Sequence, residues 1–435
     1  MTGIELGIAA LVLLIVLIAL RMPIGLALLG VSFIGLWMLT SWKVAWGSLG
    51  LIPYNFAANW VLSSVPMFLL LGYISYHTKL TEGLFRAARA WLSVLPGGLA
   101  IAAILGSAGF AAVSGSSVAC SATMGRIAIP EMMKSGYNAQ LATGTVAVAG
   151  TIGALIPPSV IMILYGIVAQ VEIAKLFLGG VAAGLLTALG YIVVVLIRVK
   201  LHPALAPSTD ERASWSERMS SLKDTWPVLL IMIGIFTGLF GGVFTPTEAG
   251  AVGASLATLV AILKGTFTPR RFIAAIQETV LTTGALIVIA VGASLLTRFL
   301  ALSGTGDFLS STILGSGASP AAIMIGVIII YLLLGMFLEP IGAMLLTLPI
   351  LLPVVGGSGF DLLWFGIIMT KLLEIGMITP PIGMNVFVIK GVVGSLVSTG
   401  AIFRGIWWFL IMDLALLVLL VLVPDLVLYL PRVLG

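Results

Sequence analysis

Apolar runs of membrane-spanning length follow one another along almost the whole chain, and some are cut in the middle by prolines, glycines or polar residues. About 20 apolar residues cross a hydrocarbon core as a helix. Ten such runs lie at approximately 4–20, 24–40, 57–77, 141–168, 176–197, 227–243, 246–263, 276–301, 363–389 and 403–424. Of the 435 residues 60% are hydrophobic and 9% charged, with a mean hydropathy of +1.23. A soluble fold of this composition would expose a mostly apolar surface, which excludes it. The runs are continuous rather than alternating, which excludes a β-barrel. The expected class is an all-α polytopic membrane protein. The first twenty residues read as a span and not a signal peptide, because Glu5 replaces a basic start and Arg21 follows.

Two further apolar regions, 98–134 and 320–357, are interrupted by Ser114-Gly115-Ser116-Ser117 and by Glu339-Pro340. Polar backbone at membrane depth persists only inside protein or beside a wet cavity. Both regions therefore read as re-entrant helical hairpins. The prolines and glycines also repeat. A shift of 223 residues carries Pro23 onto Pro246, Gly30 onto Gly253, Pro130 onto Pro353, Gly136 onto Gly359 and Gly153 onto Gly376. It carries Pro157-Pro158 onto Pro380-Pro381, and one hairpin tip onto the other. Matched helix breakers are harder to obtain by accident than matched leucines. The expectation is two repeats, each with a hairpin and a Pro-Pro broken helix. Such duplications are common in carriers.

The expected organisation is as follows. Scaffold helices occupy 1–78, an interfacial arm 79–97, and a transport core 98–168 with the first hairpin and broken helix. A scaffold helix follows at 169–198, then a polar cytoplasmic linker at 199–226. The second half has scaffold helices at 227–301, an arm at 302–319, a core at 320–389 and a C-terminal scaffold helix at 390–435. The linker carries Lys200, Asp210, Glu211, Arg212, Glu217, Arg218, Lys223 and Asp224. With the linker inside, fifteen of the 21 basic residues lie on its side. Only Lys43, Lys175 and Arg432 lie opposite, while Arg126, Arg298 and Lys371 fall in or near membrane elements. The positive-inside rule then places both termini outside and inverts the repeats relative to each other.

Most catalytic chemistries lack their parts. The two histidines, His77 and His202, are far apart, Cys120 is alone, and there is no His-Glu-x-x-His or Walker A loop. An intramembrane enzyme using Ser116 or Ser117 lacks a nearby base. The basic residues sit in loops, so nucleic acid is not indicated. A carrier is indicated instead. Paired prolines remove amide donors and free carbonyls inside a span. Broken helices at mid-membrane are where coupling ions sit in inverted-repeat carriers, and a hard cation such as sodium takes oxygen ligands. The alternative is that the double prolines only kink packed helices. Four half-helix N-termini, at the two tips and the two breaks, favour an anionic substrate such as a carboxylate. Asn385 reads either as a substrate or tip contact or as a buried, satisfied amide. Glu339 reads as a tip brace or a functional carboxylate, and Glu374 as the partner of Lys371 one turn earlier in preference to a proton relay. Arg126 reads either as attracting substrate or, the preferred reading, as reaching the aqueous side, and Cys120 as a packing residue rather than a reactive thiol.

With these residues in view the chain resembles the large membrane (M) subunit of tripartite ATP-independent periplasmic (TRAP) transporters, DctM-like members of the ion-transporter superfamily. The resemblance spans essentially the whole chain. It rests on Ser114-Gly-Ser-Ser117, Ile129-Pro-Glu-Met-Met-Lys-Ser-Gly-Tyr137, Leu155-Ile-Pro-Pro-Ser159, Leu338-Glu-Pro340 and Ile378-Thr-Pro-Pro-Ile-Gly-Met-Asn385. It implies an elevator-type, sodium-coupled symporter in the bacterial inner membrane. The substrate would be an organic acid delivered by a periplasmic substrate-binding protein (P-type). A small four-helix membrane subunit (Q-type) would be a second partner, with membrane lipid around both, and Na+ the coupling ion with no organic cofactor. Carried over by position, one sodium site would use Ser114, Gly153, Ile156 and Pro158, and the other Gly335, Gly376, Thr379 and Ile382. Ser116, Ser117, Pro340 and Asn385 would meet the substrate. A departure is that Ile156 stands where the second site has Thr379. A stand-alone dicarboxylate or citrate-type anion carrier of the same superfamily is the alternative.

Overall fold

The computed structural model describes residues 2–207 and 214–434, so Asp210, Glu211 and Arg212 of the linker lie outside the described residues. Among the described residues the chain is helical, without a strand. The first half runs through α1 (Gly3–Ala19), α2 (Ile24–Leu39), α3 (Trp42–Ala57), α4 (Ser64–His77) and α5 (Glu82–Leu92). Then come α6 (Gly98–Ser114), α7 (Ser117–Lys134), α8 (Ala139–Gly150), α9 (Val160–Ala169) and α10 (Ile173–Leu201). The linker contains α11 (Trp215–Lys223). The second half has α12 (Trp226–Phe240), α13 (Pro246–Leu263), α14 (Pro269–Ser303), α15 (Thr305–Gly315), α16 (Pro320–Phe337) and α17 (Pro340–Gly357). It ends with α18 (Leu362–Gly376), α19 (Met384–Val393), α20 (Thr399–Leu422) and α21 (Asp425–Leu434).

Local chemistry explains many of the helix starts. Side chains of Ser41, Ser116, Asn138, Ser159, Thr245, Thr268, Ser319, Asp361 and Ser398 accept from free amides in the first turn of the helix that follows. Around Thr245 a capping box with Glu248 satisfies two amides at once. Seven of the described helical segments are long and apolar enough to cross a membrane unaided, and a bent α11–α12 pair gives an eighth. Others, such as α8, α9, α18 and α19, are shorter because the Pro-Pro segments cut the apolar runs at 141–168 and 363–389. Both proline pairs have a cis peptide bond.

Helix boundaries recur at the same 223-residue offset as the prolines. Shifted by that amount, α5, α6 and α7 fall within one residue of α15, α16 and α17. Packing follows the same rule: α4 lies on α13 while α2 lies on α14, the two pairs exchanging roles. One difference between the halves lies before α4. No apolar run marks residues 41–56 in the sequence, yet the chain there forms α3, which a short 3-10 turn at Trp60–Ser63 separates from α4. The corresponding stretch of the second half is the single 35-residue α14.

Two helix groups meet. One is built from α1–α4 and α12–α15, the other from the hairpins α6–α7 and α16–α17 with α8, α9, α18 and α19. They touch through α15, α14 and α2 on α17, α4 on α6 and α9, and α12 on α6. Besides α21, which lies along α10, the helices α10 and α20 pack on α6, α8, α9, α18, α19 and each other. Packing therefore joins these two helices to the hairpin group, where the sequence expectation had put them in a scaffold. The reason is polar and buried. Lys371 on α18 donates to Asp413 on α20 at 2.5 Å and to Thr187 on α10 at 3.1 Å. Asp413 also accepts from Tyr191 on α10 at 2.8 Å, and the Tyr191 hydroxyl lies 2.9 Å from that of Thr151. Lys371 and Asp413 are fully buried.

The arm α5 is held on both sides. Arg89 meets Glu131 of α7 at 2.5 Å, and Arg86 meets Asp224 after α11 at 3.3 Å. The Trp91 indole donates to the Arg218 carbonyl at 3.2 Å and its ring packs edge-on to Trp215. The approach is close enough that a Cβ added to Gly83 would lie 2.2 Å from the Asp224 carbonyl oxygen.

Candidate transport site

A cavity of about 380 Å³ lies where the two helix groups meet. Both hairpin tips reach it, through Ser114–Ser117 and through Glu339–Ile341. Both broken helices reach it, through Ala154, Val160 and Ile161 at the first break and Met377 and Met384 at the second. The facing wall comes from α4 and α14, with Tyr73, Tyr76, Glu278 and Thr282. That wall is internally bonded. The Tyr73 and Thr282 hydroxyls are 2.7 Å apart, and His77 Nε2 and Glu278 Oε1 are 3.1 Å apart. Arg126 of α7 crosses between the groups and donates to the Tyr76 hydroxyl at 3.0 Å. Its side chain is also exposed, as the aqueous-side reading expects.

The residues proposed for the first sodium site come together. Gly153 packs on the first tip: a Cβ there would lie 2.9 Å from the Ser116 carbonyl oxygen. Gly115 is left-handed at φ +61°, and a Cβ on it would lie 2.3 Å from the Pro158 carbonyl oxygen. Only glycine meets both demands at that tip. Ser114, Gly153, Ile156 and Pro158 are all buried, and the Ser114 hydroxyl has no hydrogen-bond partner. Of the second set, Gly335 and Gly376 touch backbone to backbone. A Cβ on Gly376 would lie 2.5 Å from the Gly335 Cα. Thr379 donates to the Ile375 carbonyl at 2.6 Å and keeps its oxygen lone pairs. This break is more open than the first, with Pro380, Pro381 and Ile382 exposed.

Two readings change. Glu374 does not pair with Lys371, because Asp413, unnoticed in the sequence, takes the lysine. Glu374 instead reaches across to the first hairpin, where its Oε2 accepts from the Ser117 hydroxyl at 2.6 Å. It is 1% exposed and lines the cavity, and its Oε1 has no hydrogen-bond partner. Glu339 accepts from the Gly342 amide at 2.9 Å and so caps α17, which is the bracing reading. Thus the half-helix N-termini at both tips already carry one of the protein's own carboxylates, and fewer than four remain to face an anionic ligand. Asn385 is fully buried and does not line the cavity. Its amide points toward the Ala147 carbonyl at 3.5 Å, leaving Oδ1 unpartnered. Ser116 caps α7 through the Ala119 amide while still lining the cavity, as Ser117 and Pro340 do. Cys120 is buried, as a packing residue should be.

A family model described as "Tripartite ATP-independent periplasmic transporter, DctM component" matches residues 11–426. The C4-dicarboxylate TRAP transporter large permease protein of Pseudomonas aeruginosa is 35% identical over 395 residues, covering 89% of this chain and 90% of that protein. The sialic acid TRAP transporter large permease protein of Vibrio cholerae is 31% identical over 420 residues, covering 94% and 95%. Among solved structures, the YdaH transporter of Alcanivorax borkumensis superposes with a TM-score of 0.62 over 88% of this chain and 90% of that one, at 16% identity, which speaks to the fold. Family model, relatives and helical architecture agree: this multi-pass membrane protein is a transporter permease and belongs to the DctM, or large-permease, component of the tripartite ATP-independent periplasmic transporters.

Proposed function

We propose that the chain is the membrane carrier of a sodium-coupled importer of an organic acid, taking its substrate from a periplasmic binding protein in the inner membrane. The observation that carries this reading is the convergence of two hairpin tips and two Pro-Pro breaks on one cavity. Broken helices expose carbonyls and amides at a shared point, as a site for a cation and an anion together requires. The substrates in the names of the two relatives, C4-dicarboxylate and sialic acid, are both organic acids. On this reading sodium ions bind at Ser114, Gly153, Ile156 and Pro158, and at Gly335, Gly376, Thr379 and Ile382. The substrate contacts Ser116, Ser117 and Pro340. A small membrane subunit packs on the α1–α4 and α12–α15 group, both chain termini are periplasmic, and the repeats are inverted. The hairpin group, with α10 and α20 bound to it by the Lys371–Asp413 network, moves against that group as an elevator.

Reconstitution in proteoliposomes tests it. Uptake of a panel of radiolabelled organic acids is measured with and without the cognate binding protein, the small subunit and an inward sodium gradient. The reading expects uptake only with all three. Uptake that proceeds equally without the binding protein makes the chain a stand-alone anion carrier. Uptake indifferent to sodium removes the ion sites.

A further inference from the structure

The cavity poses an electrostatic problem for any anion. Its walls carry three carboxylates, Glu278, Glu339 and Glu374, and no lysine, arginine or histidine among the described residues. Glu278 has His77 beside it, and Glu339 is used in capping α17. Glu374 is different: it is 1% exposed, and a single hydroxyl, that of Ser117, is its only hydrogen-bond partner among the described residues. Its Oε1 has none. The nearest lysine on its own helix, Lys371, is turned away to Asp413 and Thr187. The α7 N-terminus at Ser117 offers roughly half a positive charge. That leaves a buried carboxylate half compensated, a state proteins avoid unless a proton, a cation or further donors complete it. It also means that the α7 N-terminus, which would otherwise attract a substrate carboxylate, already faces an anion.

We infer that Glu374, together with Ser117, binds a sodium ion at the cavity wall, separate from the two ions at the helix breaks, and that this ion admits the anionic substrate to the first hairpin tip. The chemistry fits a hard monovalent cation: a carboxylate oxygen with no other partner and a serine hydroxyl are both oxygen donors. Binding also joins two elements of the site, because Glu374 belongs to α18 and Ser117 to the first hairpin. With sodium bound, a substrate carboxylate meets a cation at the tip; without it, the substrate meets a bare carboxylate. This rests on the sodium-coupled reading above.

The test counts ions. The full chain, purified in detergent, is titrated with radioactive sodium, and bound sodium per chain is measured for the wild type, Glu374→Gln and Glu374→Asp. Glutamine keeps the shape and the Ser117 contact but removes the charge. The expected result is one fewer sodium bound by Glu374→Gln. Glu374→Asp, with a shortened reach, is expected to keep the count and raise the half-saturating concentration at least threefold. If Glu374→Gln does not yield folded protein, the aspartate variant alone decides. An unchanged count in Glu374→Gln, or an unchanged curve in Glu374→Asp, overturns the inference and makes Glu374 a neutral acid bracing Ser117. Wild-type protein that binds no sodium overturns both this inference and the reading on which it rests.

Discussion

Gly376→Ala places a methyl group where two backbones already touch. The added Cβ would lie 2.5 Å from the Gly335 Cα, 2.6 Å from its carbonyl carbon and 2.9 Å from its carbonyl oxygen. Carbon atoms attract best at about 3.5–4.0 Å, so the overlap is about 1 Å. No side chain can rotate away, because both partners are backbone. Overpacking of this kind costs about 1–3 kcal/mol, and the upper end is expected here. Relief requires α18 to retreat from α16, which moves the carbonyls assigned to the second sodium site. Gly335→Ala is milder: its Cβ would lie 3.0 Å from the Gly376 Cα, for a cost of about 1 kcal/mol. Gly356→Ala meets nothing within 4 Å and, inside α17, gains up to about 1 kcal/mol of helix propensity. Thermal unfolding in detergent, followed by intrinsic fluorescence, is expected to rank the variants 376 below 335 below 356. Sodium titration of uptake is expected to shift in the same order. If Gly376→Ala melts and transports like Gly356→Ala, the close approach of α16 and α18 is wrong, and with it the geometry of the second site.

Three other outcomes follow from the same geometry. Lys371→Met alone leaves Asp413 buried without its cation and is expected to cost about 3–5 kcal/mol, whereas Lys371→Met with Asp413→Leu recovers most of the loss; melting curves of the single and double variants check this. Gly115→Ala must adopt a left-handed φ and push against the Pro158 carbonyl, so uptake is expected to fall at least tenfold, with the protein still eluting as a folded species on size exclusion. Thr379→Val removes an oxygen whose proton is already committed to Ile375. The half-saturating sodium concentration for uptake should rise severalfold while the melting temperature moves little, and an unchanged sodium curve excludes that oxygen as a ligand.

Helix breakers made much of the architecture legible. Prolines and glycines act locally, so the Pro-Pro pairs and the Gly115 tip could be placed from the sequence, and the offset relating the halves came with them. The arm α5 was legible for the same kind of reason, since Glu82, Arg86 and Arg89 alternate with Leu84, Phe85 and Trp91 in one short window. Partners distant along the chain were not. Lys371 and Glu374 are a helical turn apart and invite pairing, but their true partners are 42 and 257 residues away. Nothing in the residues around Asp413 marks it as the acceptor, because an isolated acid in an apolar run shows what it needs and not what supplies it. The helix α3 was missed because Trp42, Lys43, Trp46 and Asn55 dilute its hydropathy, although Ser41 marks its start with a cap. The orientation of Asn385 away from the cavity depends on how α19 packs on α8, which no motif encodes.

The undivided α14 has a consequence for the lipid around it. Its 35 residues measure about 52 Å at 1.5 Å per residue, against a hydrocarbon thickness of about 30 Å. Even at a tilt of about 40°, the upper end of what is common, about 10 Å of it projects beyond the hydrocarbon. The matching stretch of the first half is jointed between α3 and α4 and can fold back at the surface. The second half has no such joint and must lean or protrude. Bilayers of different acyl-chain length therefore act on the molecule as an unequal lever: α14 changes its lean as the bilayer thickens, α3 and α4 take up the change at their joint, and the cavity wall that α4 and α14 share is turned in the process.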